Sequence, residues 1–195
     1  PKKLARAAGV TINEFVAGLF TANSGAGSTM ADTYAVFDAS HHQGNLGSTA
    51  LGSDSFAAAM TAIAKMTDTA SKRMGLTGKW LLIPPELEQT AFTLLYSQLK
   101  PGSGDNDANY FQGRARYIVV PQFTDADNWY LLADPGQVEL IEIGYLGGHD
   151  APELLVQDDP TAGTVFTNDA ISYKVRWIFG GGWLDYRGAY GAVVS

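Results

Sequence analysis

The run Trp80-Leu81-Leu82-Ile83 passes directly into Pro84-Pro85 and then Glu86-Leu87-Glu88, and no other stretch narrows the possible folds as sharply. Four consecutive large apolar residues ended by two prolines read as a buried strand. Proline cannot continue a ladder because it has no N–H to donate, but it suits the first position of a helix. Carboxylates are favoured near the positive end of the helix dipole, where Glu86 and Glu88 fall. The junction therefore predicts a strand turning at once into a helix that carries Leu87, Ala91, Leu94 and Leu95 inward, so the chain mixes α and β structure.

The remaining elements are arranged around that unit. Leu4, Ala8, Ile12, Phe15 and Leu19 recur at helical spacing, with Lys3, Asn13 and Glu14 off the stripe. This predicts an amphipathic helix about 30 Å long at ~1.5 Å per residue. The glycine-rich run from Asn23 to Ser28 ends it. Tyr34 to Phe37 is a short strand candidate, and His41 to Gly52 a surface excursion. Ser53 or Asp54 is expected to cap a second helix, facing inward through Phe56, Met60 and Ile63 and ending before Gly75. Lys100 to Gly113 forms a long polar loop. Strands are expected at Tyr117–Val120, closed by Pro121, and at Trp129–Leu132, closed by Asp134-Pro135-Gly136. Two longer strands follow, Val138–Leu146, continued through Leu154–Val156, and Ile171–Phe179. In the latter Ile171, Tyr173, Val175, Trp177 and Phe179 share one face and Ser172, Lys174 and Arg176 the other. They pair as a long hairpin with its tip at Asp158–Asn168. Gly180-Gly181-Gly182 is expected to break the ladder before Trp183–Tyr186.

Composition excludes several functions. With 195 residues, 46% hydrophobic and 17% charged, the chain can bury about 70% of its unfolded surface. A net charge of -7 opposes tight binding to nucleic acid, which relies on lysine and arginine displacing counterions. The one basic cluster, Lys2, Lys3 and Arg6, reads as a solvated helix face. Without cysteine there is neither a disulfide nor a thiolate metal site. No apolar run approaches the ~20 residues that span a bilayer. Pro1 leads straight into helical sequence, which suggests that further residues precede it.

Candidate chemistry is sparse. His41-His42 with Asp38 invites a metal, yet adjacent histidines point apart on a strand, and His149 is the only other histidine. Asp105-Asn106-Asp107-Ala108-Asn109 begins like a calcium loop, but Tyr110 stands where the turn needs glycine and Arg116 where a bidentate glutamate belongs. Glycines 25, 27, 102 and 104 are fragments of phosphate-binding patterns and read as turns. Glu86/Glu88, Asp125/Asp127 and Asp158/Asp159 could serve as acid and base pairs, and Trp129, Tyr130, Trp177, Trp183 and Tyr186 as stacking platforms. A β-rich carbohydrate-binding or hydrolase domain would use both sets. Exposed loop carboxylates and core or interface aromatics account for them more simply. No catalytic, cofactor-binding or metal residue is assigned, no cofactor is expected, and an enzyme is not.

Four strings, in order, resemble one family: Phe37-Asp38-Ala39-Ser40-His41-His42-Gln43-Gly44-Asn45-Leu46; Leu81-Leu82-Ile83-Pro84-Pro85-Glu86-Leu87-Glu88; Trp129-Tyr130-Leu131-Leu132-Ala133-Asp134-Pro135; and Leu184-Asp185-Tyr186-Arg187-Gly188-Ala189-Tyr190. They are similar to the major capsid proteins of Mu-like tailed phages and prophages, including those fused behind a prohead protease. The family usually has a single histidine before Gly-Asn-Leu, whereas His41-His42-Gln43 holds an insertion.

The resemblance implies an α+β fold of the Hong Kong-phage type. Residues 1–24 (spine helix) and 138–180 (long β-hairpin) would form the peripheral domain, and 25–137 with 181–195 an α/β axial domain. An N-terminal arm and extended loop would precede the spine helix. The implied function is self-assembly with copies of itself, as hexamers and pentamers, into an icosahedral head in the bacterial cytoplasm. Scaffold, prohead protease and portal proteins are the further partners. DNA is packaged without tight specific binding, which an acidic inner surface would suit, and no membrane is involved. An encapsulin-type compartment is the alternative within the class. Residues 1–195 alone are expected to be a monomer or small oligomer.

Overall fold

The computed structural model describes residues 2–100, 107–161 and 163–194. Part of the Lys100–Gly113 loop, with Gly102, Gly104, Asp105 and Asn106, lies outside the described residues. The chain divides into two compact units, one of residues 1–16 and 143–181, the other of 17–142 and 182–195.

The larger unit is organised on a five-stranded sheet. Its strands are β1 (Leu46–Gly47), β2 (Gly78–Ile83), β3 (Arg116–Val119), β4 (Trp129–Ala133) and β9 (Ala189–Ala192), in the order β1-β9-β4-β2-β3. β2 runs parallel to β3 and antiparallel to β4, and β9 antiparallel to β4. Helices α2 (Ser53–Lys65) and α3 (Glu88–Tyr96) pack their buried Phe56, Ala59, Ile63, Ala91, Leu94 and Leu95 into the core with Leu81, Ile83, Trp129 and Leu131. Alternation along β4 sends Tyr130 the other way. There it meets Phe20, Phe37 and Phe123 at ring separations of 5.2–5.3 Å.

Several sequence expectations are met and several corrected. The strand-to-helix junction forms as read, except that Pro85–Leu87 is a 3₁₀ turn from which α3 continues. α2 is capped neither by Ser53 nor by Asp54: Gly52 takes that place, and its N–H donates to Ser55 Oγ at 2.9 Å. Tyr34–Phe37 is not a strand, because only Ala35 bridges, to Thr29, while Val36 and Phe37 turn into the core. The glycine triplet does not break the ladder. Gly180–Gly182 lie inside β8 (Phe179–Trp183), since a ladder needs only extended backbone and its N–H and C=O groups. β9 was unforeseen because Ala-Tyr-Gly-Ala has weak strand propensity. Its Gly191 is nonetheless required: a Cβ there would lie 2.7 Å from Cγ of Phe37.

Helix α1 spans Lys2–Thr21, and its expected stripe is the less exposed side. In the smaller unit Phe15 packs edge-on against Phe179 at 5.4 Å. β5 (Ile141–Tyr145) pairs with β8, and β6 (Glu153–Gln157) is antiparallel to β7 (Ser172–Arg176). The first of the two long strands is therefore interrupted, by a turn around Leu146–Gly148, and the segment joining β6 to β7 contains a short helix, α4 (Gly163–Asn168).

Phe56 is fully buried between α2 and the sheet. Phe56→Ala is expected to lower stability by about 3–5 kcal/mol, read from denaturant unfolding with an unchanged slope.

Candidate functional site

The structure separates the residues that composition made chemically interesting. His41 and His42 lie in a turn, not on the strand that was expected to separate them, and they meet different partners. His41 Nδ1 lies 3.0 Å from Asp38 Oδ1, whereas His42 is buried, with Nε2 2.7 Å from Asp32 Oδ2. Asp38 is held below the usual carboxylate range first by the His41 and Ser40 backbone N–H groups. Its carboxylate thus organises its own turn. Among the described residues no group of three histidines and carboxylates is placed to hold a metal.

The paired carboxylates form no acid–base site either. Glu86 and Glu88 are exposed at the start of α3. Asp125 Oδ1 accepts the N–H groups of Asp127 and Asn128, and Asp159 accepts from the backbone and hydroxyl of Thr161, which lowers its pKa. Each is engaged in local loop geometry or faces open solvent.

The aromatics are mostly spent inside the fold. Trp129 and Tyr130 are fully buried, and burial pushes the Tyr130 phenol well above its ordinary range, with Asp125 adding to it. The Tyr130 hydroxyl donates to the Gly25 carbonyl at 3.1 Å. Trp183 Nε1 donates to the Leu19 carbonyl, and Trp177 stacks on Tyr145 while its Nε1 donates to the His149 carbonyl. Tyr186 stacks on His42 with ring centres 4.0 Å apart. None of these offers a free platform.

Among the described residues, exposed apolar side chains include two groups set beside strands, besides separate positions such as Tyr110, Leu146 and Phe166. On the β6–β7 ribbon, Leu154 and Val156 stand opposite Val175 and Tyr173, so one face is apolar from edge to edge. Leu154, Val156 and Tyr173 are 44%, 47% and 45% exposed, and Ile171 continues the face at 55%. Glu153, Lys174 and Arg176 occupy the other face, with Glu153 and Arg176 paired at 3.1 Å. The period of two in Ile171–Phe179 signalled this face, but only the structure shows it uncovered. In the larger unit β3 is an edge strand, and beside it Phe92, Tyr96 and Ile118 are exposed, with Phe92 stacked on Tyr96 and Tyr96 edge-on to Tyr117. Exposed apolar faces and open strand edges mark contact surfaces between molecules.

Over residues 1–192 the sequence matches the family model described as phage capsid protein. The chain belongs to the phage capsid protein family. It is accordingly a structural protein of a bacteriophage capsid, and the family implies a place in the virion shell and suggests assembly with copies of itself and no enzymatic role. No curated protein matches the chain. The mixed helix and strand content is consistent with a phage capsid fold. No helix among the described residues is long and apolar enough to cross a membrane.

With His42 committed to Asp32 and Val36 and His41 to Asp38, saturating zinc is expected to leave the melting temperature unchanged. A zinc-dependent rise in a thermal scan would restore the histidines as ligands.

Proposed function

We propose that this capsid protein is a major head subunit of the Mu-like, Hong Kong-phage type, which self-assembles into the icosahedral shell of a tailed phage or prophage. α1 would be the spine helix and residues 138–180 the peripheral hairpin. Residues 25–137 and 181–195 would be the axial domain. An N-terminal arm and extended loop would lie upstream of the spine helix, and scaffold, prohead protease and portal proteins would act during assembly in the bacterial cytoplasm. The packaged DNA would be held without tight specific binding.

The observation that carries this reading is the uncovered apolar face of the β6–β7 ribbon. A two-stranded ribbon with Leu154, Val156, Ile171 and Tyr173 in water is unfavourable for an isolated subunit, at about 25 cal/mol per Å² left exposed. The same face becomes favourable once a neighbour covers it, and a shell repeats that contact at every symmetry-related position. A hydrolase would instead require facing carboxylates in a cleft, and the paired carboxylates here are dispersed over loops and the start of α3. An encapsulin-type compartment would use the same surfaces, and the match to phage capsid proteins favours the phage head.

Negative-stain electron microscopy of the complete gene product, with scaffold or protease supplied if required, is expected to show uniform hollow shells. A lasting monomer under those conditions would send attention back to the carboxylates and aromatics. Leu154→Lys with Val156→Lys, on an exposed ribbon, is expected to leave the circular dichroism spectrum unchanged and to reduce particle yield at least tenfold.

A further inference from the structure

His42 faces two hydrogen-bond acceptors and no donor. The side chain is 1% exposed, with Nδ1 2.9 Å from the carbonyl oxygen of Val36 and Nε2 2.7 Å from Oδ2 of Asp32. A carbonyl oxygen cannot donate, so Nδ1 must carry a proton. The second contact needs a proton as well, since a bare imine nitrogen and a carboxylate oxygen would oppose their lone pairs. Asn45 supplies neither: its Nδ2 donates to the same Val36 oxygen at 2.9 Å, and its Oδ1 accepts the Asp38 N–H at 2.8 Å.

Asp32 also closes a strained turn. Thr29 bridges Ala35, the Met30 N–H donates to the Tyr34 carbonyl at 2.8 Å, and the Thr33 N–H donates to the Met30 carbonyl at 3.0 Å. Thr33, at the tip, has φ of 73°, a left-handed conformation that is unfavourable for a β-branched residue. Oδ1 of Asp32 accepts the Tyr34 N–H at 3.1 Å, so one oxygen closes the turn while the other ties it to His42.

We infer that the Asp32–His42 contact is a proton-dependent latch: His42 is doubly protonated when the 29–35 turn is closed, and losing the Nε2 proton as pH rises frees the turn. Among the described residues, the charged and titratable surroundings contain no second charged partner for the ring. Tyr34 meets it edge-on at 6.4 Å, and Tyr186 stacks on it. Behind Tyr186, Arg187 pairs with Asp185 at 3.0 Å and donates to the Thr67 carbonyl. His41 and Asp38 pair with each other, and Asp68, on the neighbouring turn, accepts from its own Ala70 and Lys72 N–H groups. The Asp32 carboxyl lies below its ordinary value, chiefly through the His42 hydrogen bond and then the Tyr34 N–H. The carboxylate's contribution is present above the unfolded carboxylate range and is lost in acid.

The ring of His42 can be read directly by ¹⁵N NMR on the full chain. Both nitrogens are expected to give protonated shifts while the turn is closed, and a free-imine signal from Nε2 in that state would overturn the latch. Amide exchange supplies the second readout. Relative to intrinsic rates, protection at Thr33 and Tyr34 should fall roughly tenfold as His42 loses its proton. In Asp32→Asn the amide can donate to neutral Nε2, so protection should stay level over the same range. Level protection in the unmodified protein would overturn the proposal, and its ring spectrum decides the matter even if the variant fails to fold. Neither result depends on whether the protein forms shells.

Discussion

The burial of β4 on both faces is the constraint on which the larger unit depends. Trp129, Leu131 and Ala133 complete the core beneath α2 and α3, while Tyr130 completes the aromatic cluster of Phe20, Phe37 and Phe123. β4 is also paired along both edges, with β2 on one side and β9 on the other. That placement leaves β1 and β3 at the edges. The same order that makes the core secure makes β3 available to another molecule.

The two units use apolar residues differently. In the larger one a core is covered by helices and by the aromatic cluster, with Phe92, Tyr96 and Ile118 left exposed at its edge, and the buried polar side chains have partners: Asn109 donates to the Leu94 and Ser97 carbonyls, and Asn45 and His42 both reach Val36. In the smaller one the β6–β7 ribbon has no second layer of its own, so its apolar face meets solvent. Membership in a capsid family gives this contrast a purpose, because a shell subunit must keep a stable body and still reserve surface for neighbours.

How much of this was legible in the sequence depended on how local each signal was. The junction at Trp80–Glu88 and the stripe from Leu4 to Leu19 are set by neighbours in sequence, through proline chemistry and helical periodicity, and they appear where expected. Ala189–Ala192 becomes a strand only because Asn45, Gly47 and β4 supply hydrogen-bond partners from far away, and nothing within four small residues announces that. The glycine triplet misled for the complementary reason: a strong local breaker is overruled when β5 pairs with it. The histidine pair is separated by a turn, not by the strand alternation that the sequence suggested. The partner of His42, Asp32, lies ten residues earlier and only the folded loop brings the two together.

The position of β9 also imposes an order on the life of the chain. The place between β1 and β4, one strand in from the sheet's edge, is filled by residues 189–192, so residues 46–133 are synthesised with that place empty. Until that last strand emerges, β1 has no partner and Phe37 no glycine backbone to rest on. Completion of this sheet therefore waits for residues 189–192 to be made, and a stop anywhere before them leaves β1 unpaired and one flank of β4 open.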